Sequence, residues 1–447
     1  MRALRQALAD VVHASCACVT PMNMVRSHPP MPTIHSEEET MTLQRTITLI
    51  VGFVVAMSLA GPPMAAAGPA GVTGATVTRS GNDFVLTWTT SGPVPAVTIK
   101  QGTDPAVIET LVTTVTGGTS TTVTGLDPAQ RHYFRVQGGS GDGTIAAERV
   151  VPQTGVLNFR DTGGYTVRNP GGHTKSVRWG LFFRSGAPSP TSNQAFLTTL
   201  DIQTIVDARA PAEISASRPP WSSSLTGADV VSTPIIDEGN LLLIDLVAER
   251  VCTPANGYVP FEAECFAAQE AFFGPHGEFW ADFNEQLFRG FVSGTGPQVG
   301  THGQMHFGNV VNHAMRTLLL LATDSANLPL LWADTNGGAR VGFGAAVLAM
   351  ALGVEDADVI ADFVLTNTVL APVIAAQLAQ IQAQLVNTGL LKSTDLVAPR
   401  LTLTPAIIQA VMDEMVQRYG SVWNYLSQGL GITEADLEAL RANLLKG

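Results

Sequence analysis

A short apolar strand, a glycine-containing loop and an apolar helix follow one another over residues 329–352, and this succession constrains the fold most. The loop contains Gly337 and Gly338, and Gly353 stands where a C′ glycine ends a helix. A helix that begins directly after such a loop points backbone N–H groups at an anion. The segment therefore predicts an anion-binding loop at the centre of an α/β layered domain.

Helical patterns alternate with a few strands from about residue 153 onward. Residues 204–207 form a short apolar run typical of a buried strand, and Ser192 leads the helical pattern before it. Thr433 and Asp436 have the spacing of a capping box at the start of another helix. Residues 153–447 are therefore predicted to form one α/β domain.

Residues 71–152 are rich in Thr, Val and Gly, and the runs 83–89 and 133–136 alternate with the period of half-buried strands. Glycine-containing turns separate these runs at the spacing of a β-sandwich. The stretch resembles a fibronectin type III domain, with Trp88 as its core tryptophan and His132 where that family usually has Tyr. The resemblance implies an N-terminal all-β sandwich that serves as a spacer or as an adhesion unit.

The size and the charge of the chain limit the classes of protein to which it can belong. Its 447 residues are 45% hydrophobic, enough to bury the cores of more than one domain, so we expect a multidomain protein. The formal net charge of -12 argues against a nucleic-acid partner, because such a partner selects a basic surface. The chain has four lysines, too few for a polybasic segment that binds a membrane surface.

Residues 41–67 have the organisation of a secretory signal peptide. An apolar run over residues 47–60 is followed by three alanines before Gly68, which is the pattern of a cleavage site. The run is shorter than the roughly 20 residues of a membrane span. We therefore expect a secreted or cell-envelope protein without a stable membrane span after cleavage. Residues 1–40 lack periodicity and are predicted to be an untranslated or disordered extension before a true start at Met41.

Several motifs lie in collinear order between residue 153 and the end of the chain. They are Asn158-Phe159-Arg160-Asp161 with a Gly-Gly pair, Arg184-Ser185, Asp207-Ala208-Arg209 with Glu213, Asp362-Phe363 after the loop, and Tyr419-Gly420-Ser421 near the end. Together they resemble the bacterial branch of the cysteine-dependent tyrosine and dual-specificity phosphatases. The resemblance implies an α/β phosphatase fold over residues 153–447.

The loop of that family runs His-Cys-x-x-Gly-Lys-Asp-Arg-Thr-Gly, and Gly337, Arg340 and Gly342 match it. The resemblance implies a phosphate cradle of loop amides, closed by a bidentate arginine; its residues would be Thr335, Asn336, Gly337, Gly338, Ala339 and Arg340. It also implies six supporting residues, namely Asn158, Arg160, Asp161, Arg184, Asp207 and Arg209. No cofactor or metal ion is implied. The ligand would be a phosphorylated protein or a phosphoinositide.

The loop departs from the family pattern at the positions that carry its chemistry. Asp334 stands at the position of the nucleophilic cysteine, Gly338 at that of the lysine and Ala339 at that of the aspartate. A carboxylate is a weaker nucleophile than a thiolate, and aspartyl-phosphate chemistry relies on a metal ion that this loop does not supply. The Asp334 side chain is expected to fold onto Arg340 and the loop amides, where it would take part of the phosphate position.

These departures favour a secreted pseudophosphatase that binds an anionic ligand or a partner through the altered loop. An active protein-tyrosine or phosphoinositide phosphatase with Asp334 as nucleophile and Arg340 as phosphate ligand is the alternative. A second alternative is a surface adhesion protein that acts through the β-sandwich. Arg340 could also pair with Asp334 and bind no ligand at all. The sequence does not indicate an oligomeric state.

Cys252 and Cys265 are the cysteines that follow the predicted signal peptide. In an exported protein their spacing favours one small-loop disulfide, with two unpaired buried thiols as the alternative. Neither has an arginine six positions later, so neither replaces the missing nucleophile. His302 and His306 have helical i, i+4 spacing, but no glutamate completes a zinc motif. We therefore expect no metal site.

Overall fold

The computed structural model describes residues 70–139, 141–168, 174–215, 217–221, 227–235, 246–299 and 303–446. The signal peptide predicted over residues 41–67 and the extension predicted over residues 1–40 lie outside the described residues, as does His302. The described part of the chain has a strand-rich N-terminal region and a mixed α/β region after it. This arrangement confirms the coarse order that the sequence predicts.

The N-terminal region contains two antiparallel sheets. Its strands are β1 (Val72–Ser80), β2 (Asp83–Thr90), β3 (Ala96–Gly102), β4 (Thr110–Thr116), β5 (Ser120–Val123), β6 (Tyr133–Gly138) and β7 (Thr144–Ala147). One sheet has the order β1-β2-β5 and the other β4-β3-β6-β7. Alternate residues of β2, Phe84, Leu86 and Trp88, are buried between the sheets with Phe134 and Val136 of β6, because successive side chains of a strand point to opposite faces.

A five-stranded sheet organises the second region. The strands that follow are β8 (Arg160–Asp161), β9 (Thr166–Arg168), β10 (Thr174–Val177), β11 (Phe182–Ser185), β12 (Thr204–Asp207), β13 (Asp229–Ser232), β14 (Thr295–Val299), β15 (Gly303–His306), β16 (Leu330–Ala333) and β17 (Leu445–Lys446). The central order is β13-β12-β16-β11-β8, with β8 antiparallel to β11 and the other pairs parallel. Strands β17, β10 and β9 form a small sheet, and β14 pairs with β15.

Helices cover this sheet and build the larger core. They are α1 (Gln194–Thr199), α2 (Ala263–Phe273), α3 (Phe279–Ser293), α4 (Val310–Leu321), α5 (Ala339–Leu352), α6 (Asp356–Val369), α7 (Ala371–Ile381), α8 (Pro405–Tyr419), and, after a helical turn at Val422–Asn424, α9 (Glu434–Leu444). Among the described residues no single helix is long and apolar enough to cross a membrane. By length and composition, one pair bent by 53°, Asp356–Val369 with Ala371–Val386, passes that test.

The sequence analysis names residues at three helix ends; two agree with the structure and one does not. Helix α5 ends before Gly353, whose φ is 86°, and Thr433 and Asp436 form a reciprocal capping box, as predicted. Helix α1 is capped by Asn193, which accepts a hydrogen bond from the Phe196 amide, one residue after the predicted Ser192. The Ser192 hydroxyl instead accepts from the Ser189 amide in the preceding turn, so it is not available to cap the helix.

The carboxyl ends of three neighbouring strands meet at one level of the sheet. In the parallel register, Ala333 at the end of β16 lies opposite both Ser185 of β11 and Asp207 of β12. Ligands of open α/β sheets bind at this edge, beyond the carboxyl ends of the strands. The loop that leaves β16 and enters α5 therefore lies where such a fold places a binding site.

Candidate functional site

The loop between β16 and α5 is held closely against the end of β11. The Asp334 amide donates to the Ser185 carbonyl at 3.2 Å, and the Ala187 amide donates to the Thr335 carbonyl at 3.1 Å. Gly337 has a φ of 71°, and a Cβ atom there would lie 2.6 Å from the Gly186 nitrogen. Only glycine meets both the left-handed backbone and this close approach without strain.

The Asp334 carboxylate accepts hydrogen bonds from the loop that it begins. Its Oδ1 atom accepts from the amides of Asn336 at 2.9 Å and Gly337 at 2.6 Å. Its Oδ2 atom lies 3.4 Å from the Val341 nitrogen and 3.6 Å from Arg340 Nε. The residue is 3% exposed. A negative group thus lies inside the ring of amides, at the positive end of α5.

Arg340 makes its bidentate contact with a second carboxylate. Its Nη2 and Nη1 atoms lie 2.6 and 2.8 Å from the two carboxylate oxygens of Glu213, which follows β12. Nη1 also donates to the Ile235 carbonyl at 2.8 Å. The planar guanidinium suits such fork-like pairing. Arg340 therefore joins the loop to the segment after β12 and lies between the carboxylates of Glu213 and Asp334.

Glu213 is a strongly bound, ionised group in this arrangement. The Thr335 hydroxyl donates to its Oε1 atom at 2.5 Å, and its Oε2 atom accepts from the Ala210 amide at 2.8 Å. Burial would raise the pKa of Glu213, but the hydrogen bonds and charge of Arg340, with the Thr335 bond, lower it to about 2. The site thus contains a buried carboxylate that the cysteine-to-aspartate difference alone does not indicate.

Arg218 contacts the loop through its guanidinium group. Its Nη1 atom donates to the Thr335 carbonyl at 2.9 Å and to Asn336 Oδ1 at 2.8 Å. The Arg218 carbonyl in turn accepts from Arg209, whose guanidinium pairs with Asp207 at 2.7 Å. Asp207 and Arg209 therefore support the loop indirectly, through the segment that carries Arg218.

Two further predicted supports contact the loop itself. Arg184 Nη2 lies 3.2 Å from the Gly337 carbonyl and 3.4 Å from the Gly338 carbonyl, and Asn158 Nδ2 donates to the Gly337 carbonyl. Asn158 adopts a φ of 50°, an uncommon value for a residue with a side chain. Both contacts fix the peptide groups at the tip of the loop from the side of the sheet.

Arg160 acts on α6 rather than on the loop. Its guanidinium donates to the Asp362 carbonyl and to Thr366 Oγ1, each at 2.8 Å. Asp362 Oδ2 lies 2.7 Å from Arg184 Nη1. Burial would raise the pKa of Asp362, but the charges of Arg160 and Arg184 lower it well below its usual value. Asp362 is thus the shared anion between two buried arginines, one of which contacts the loop.

Asp161 lies away from the loop. Its Oδ2 atom pairs with Arg131 of the N-terminal region at 2.8 Å and accepts from the Gly180 amide, while Oδ1 accepts from the Gly163 amide. Five of the six predicted supports therefore act on the loop or its neighbours, and Asp161 contacts the other region of the chain.

The site retains donors that face no acceptor. Within the described chain the amides of Gly338 and Ala339, at the start of α5, donate to no acceptor, and both residues are only half-buried. Within the same described ranges no group of three or more His, Cys, Asp or Glu is arranged to hold a metal ion. The loop can therefore present two N–H groups to an external anion beside the Asp334 carboxylate.

Comparison with known proteins agrees with this geometry. Residues 151–446 match the tyrosine phosphatase family. The chain belongs to this family. It is also 26% identical, over 322 residues, to a protein of Cupriavidus necator named "Putative tyrosine-protein phosphatase"; the alignment covers 68% of this chain and 97% of that protein. The family that the sequence motifs suggest is therefore confirmed.

The main difference between this tyrosine phosphatase-family loop and the sequence-based prediction lies in the residues that contact the loop. Three residues that contact the loop or its supports are missing from the predicted site residues, namely Glu213, Arg218 and Asp362. Glu213 does belong to a family motif named above. The motif Asp207-Ala208-Arg209 with Glu213 is a signal that could have pointed to Glu213. Arg218 lies in a segment without a recognisable motif, 117 residues before Thr335.

Two of the four cysteines of this family member, Cys252 and Cys265, lie in the described part of the chain, far along it from the loop. Cys252 and Cys265 form a disulfide with a Cα–Cα distance of 5.8 Å, and both are buried. Gln269 of α2 is buried beside them and donates to the Leu390 carbonyl at 2.8 Å. The disulfide therefore adjoins the loop after α7 and is not part of the phosphatase-family site.

Proposed function

We propose that this tyrosine phosphatase-family chain is a pseudophosphatase that binds an anionic ligand or partner without hydrolysing it. The observation that carries the proposal is the Asp334 carboxylate, which accepts from the Asn336 and Gly337 amides in place of a nucleophilic thiolate. A carboxylate held by two amides and close to Arg340 is stabilised in its ground state. It is therefore a poor nucleophile toward phosphorus.

The chemistry of a phosphomonoesterase also needs an acid for the leaving oxygen. Ala339 stands where the family loop has its aspartate, and Glu213, a carboxylate that contacts the loop, is ionised and bonded to Arg340. An ionised group with a pKa of about 2 cannot donate a proton near neutral pH. The loop therefore lacks both a strong nucleophile and a proton donor.

The ligand that we propose is a phosphorylated protein or a phosphoinositide head group. The amides of Gly338 and Ala339 offer donors to phosphate oxygens at the helix start. The negative charge of Asp334 opposes an anion at the same place, so binding is expected to be weak unless contacts outside the loop add to it.

We also propose export and a fibronectin type III-like N-terminal region. Export is supported by the apolar run and small-residue cleavage pattern before Gly68, and by a disulfide, which persists in oxidising compartments. The fibronectin-like reading is supported by the sheets of three and four strands and by the buried Trp88.

The deciding measurement is phosphate release by purified residues 68–447 from a phosphotyrosine peptide and from phosphoinositides. Asp334→Asn is the test variant, and Asp413→Asn on the exposed face of α8 is the matched control. We expect no release above that of buffer for any of the three proteins. Release by the wild type and the control that is absent in Asp334→Asn would reject the pseudophosphatase and make Asp334 a nucleophile.

A further inference from the structure

The strand-rich N-terminal region supplies the counter-ion of a buried phosphatase-family motif residue. Asp161 is fully buried, and Arg131, which lies before β6, is 3% exposed. Their side chains meet at 2.8 Å. Within the described chain Arg131 is the one cation that contacts this carboxylate, and it lies outside the family match over residues 151–446.

The remaining hydrogen bonds hold each member of the pair in place within its own region. Arg131 donates to the Tyr133 hydroxyl at 3.1 Å and to the Glu148 carbonyl at 2.9 Å, so its position is fixed by β6 and by the segment after β7. Asp161 accepts from the Gly180 amide at 2.9 Å. A buried carboxylate without a counter-ion is strongly unfavourable, and here each region supplies the counter-charge for a buried group of the other.

Apolar packing surrounds this ion pair. Trp179 packs against Ile108, Tyr133 and Ala147 of the N-terminal region, and its indole N–H donates to the Ile145 carbonyl at 2.9 Å. A Cβ atom at Gly180 would lie 2.6 Å from the Tyr133 hydroxyl, so the two surfaces are in close contact. The interface is thus a buried, hydrogen-bonded core and not a flexible junction.

A continuous set of contacts leads from this interface to the loop. Arg160, the neighbour of Asp161 in β8, donates to Asp362 of α6. Asp362 pairs with Arg184, and Arg184 contacts the carbonyls of Gly337 and Gly338. A shift of β8 therefore changes the position of the groups that hold the loop tip.

We propose that Arg131 is a positioning residue for the anion loop and that the N-terminal region is an integral part of the phosphatase-family unit. The region is then not a detachable spacer, which is one of the roles that the fibronectin-like resemblance implies. This inference does not depend on the proposed function, because it concerns the order of the loop whether or not the loop hydrolyses a phosphate ester.

The test is hydrogen–deuterium exchange of the full chain in Arg131→Met, followed in peptides that cover β8 and residues 334–341. We expect at least tenfold faster exchange in both peptides. The matched control is Arg135→Met, which removes an ion pair with Glu109 inside the N-terminal region and contacts neither Arg131 nor Asp161. In this control exchange should rise in the sandwich peptides and stay close to wild type in the loop.

A rescue variant separates charge pairing from simple loss of packing. Adding Asp161→Asn to Arg131→Met removes the uncompensated charge and keeps one acceptor oxygen for the two amides, Gly180 and Gly163, that the carboxylate binds, so loop protection should return in part. Wild-type exchange in the loop of Arg131→Met, or no recovery in the double variant, would overturn the proposal. If Arg131→Met does not fold, Arg131→Lys replaces it. We then expect the exchange rate of the loop to lie between those of the wild type and of an unpaired Asp161. A loop exchange rate equal to that of the wild type would overturn the proposal.

Discussion

Asp334 determines whether an external anion can use the loop. Its Oδ1 atom already accepts from two of the loop amides, at 2.9 and 2.6 Å. Removal of the carboxylate frees these amides and removes a negative charge beside the start of α5. The loop geometry should persist, because the contacts of Arg184 and Asn158 with Gly337 do not involve Asp334.

We predict that inorganic phosphate stabilises Asp334→Ala and leaves the wild type unchanged. A phosphate concentration of about 100 times the dissociation constant would add roughly 2.7 kcal/mol to the free energy of unfolding, and so raise the melting temperature. Thermal melts in phosphate, with chloride at equal ionic strength as control, measure this. Equal shifts in wild type and variant would contradict the view that Asp334 occupies the phosphate position.

Glu213 should make the stability of the protein fall in acid. Its pKa of about 2 in the folded state lies below the ordinary value of 4.5, so its ionised form favours folding above pH 4.5. That contribution, on the order of 3 kcal/mol, is lost as the pH falls from about 4.5 toward 2. Urea unfolding between pH 7 and pH 3 should show a shallower acid dependence in Glu213→Gln. An unchanged slope would show that other carboxylates account for it.

At the scale of elements, the loop depends on the glycine that enters the left-handed region beside β11. Gly337→Ala combines an unfavourable φ of 71° with a Cβ atom 2.6 Å from the Gly186 nitrogen. We expect a loss of at least about 2 kcal/mol of unfolding free energy, measured by urea titration.

Gly81→Ala is the matched control for that change. Its φ is 62°, and nothing lies within 4 Å of the added Cβ atom. The unfolding free energy should therefore fall only by the cost of a left-handed backbone at alanine, about 1 kcal/mol. If both variants lose the same stability, the close approach of the loop to β11 makes no contribution of its own.

Elements with a local signal could be predicted from the sequence, and long-range partners could not. The strand at residues 204–207, the end of α5 at Gly353 and the capping box at Thr433 each depend on neighbouring residues. Contacts such as Arg340 with Glu213, 127 residues apart, depend on how strands are ordered in the sheet. The prediction of Ser192 as the cap of α1 is wrong for a different, local reason: Ser192 and Asn193 are adjacent residues that can both cap a helix, and the Ser192 hydroxyl is bonded in the preceding turn.

At the scale of the whole molecule, the order of a strand-rich region and an α/β region follows from the change of periodicity near residue 152. The close contact between the two regions could not be predicted in this way. Arg131 stands in a segment without a motif, and nothing in its neighbourhood indicates an aspartate 30 residues later as its partner. Only the folded chain brings Arg131, Asp161 and Trp179 to one interface.

We predict that expression of the full chain in an export-competent bacterium gives an extracytoplasmic product that begins at Gly68. The small-residue pattern before that position directs cleavage, and the oxidising compartment permits the Cys252–Cys265 bond. Intact mass should equal residues 68–447 less two hydrogens. Replacement of Ala65 and Ala67 by bulky residues should block processing, and an uncleaved wild-type product would contradict the prediction.

Strand β16 lies between β12 and β11, although it follows both by more than 120 residues. The inner edges of β11 and β12 therefore stay without a partner until β16 arrives, and pairings between distant segments form slowly. During synthesis or export from the N-terminus, β11 and β12 emerge before β16, so their edges stay exposed until β16 follows. Aggregation therefore competes with folding before the sheet closes. Because β16 also leads into the anion loop, the loop forms only when the sheet closes. Refolding monitored through the buried Trp332 of β16 should show closure of the sheet as the late phase.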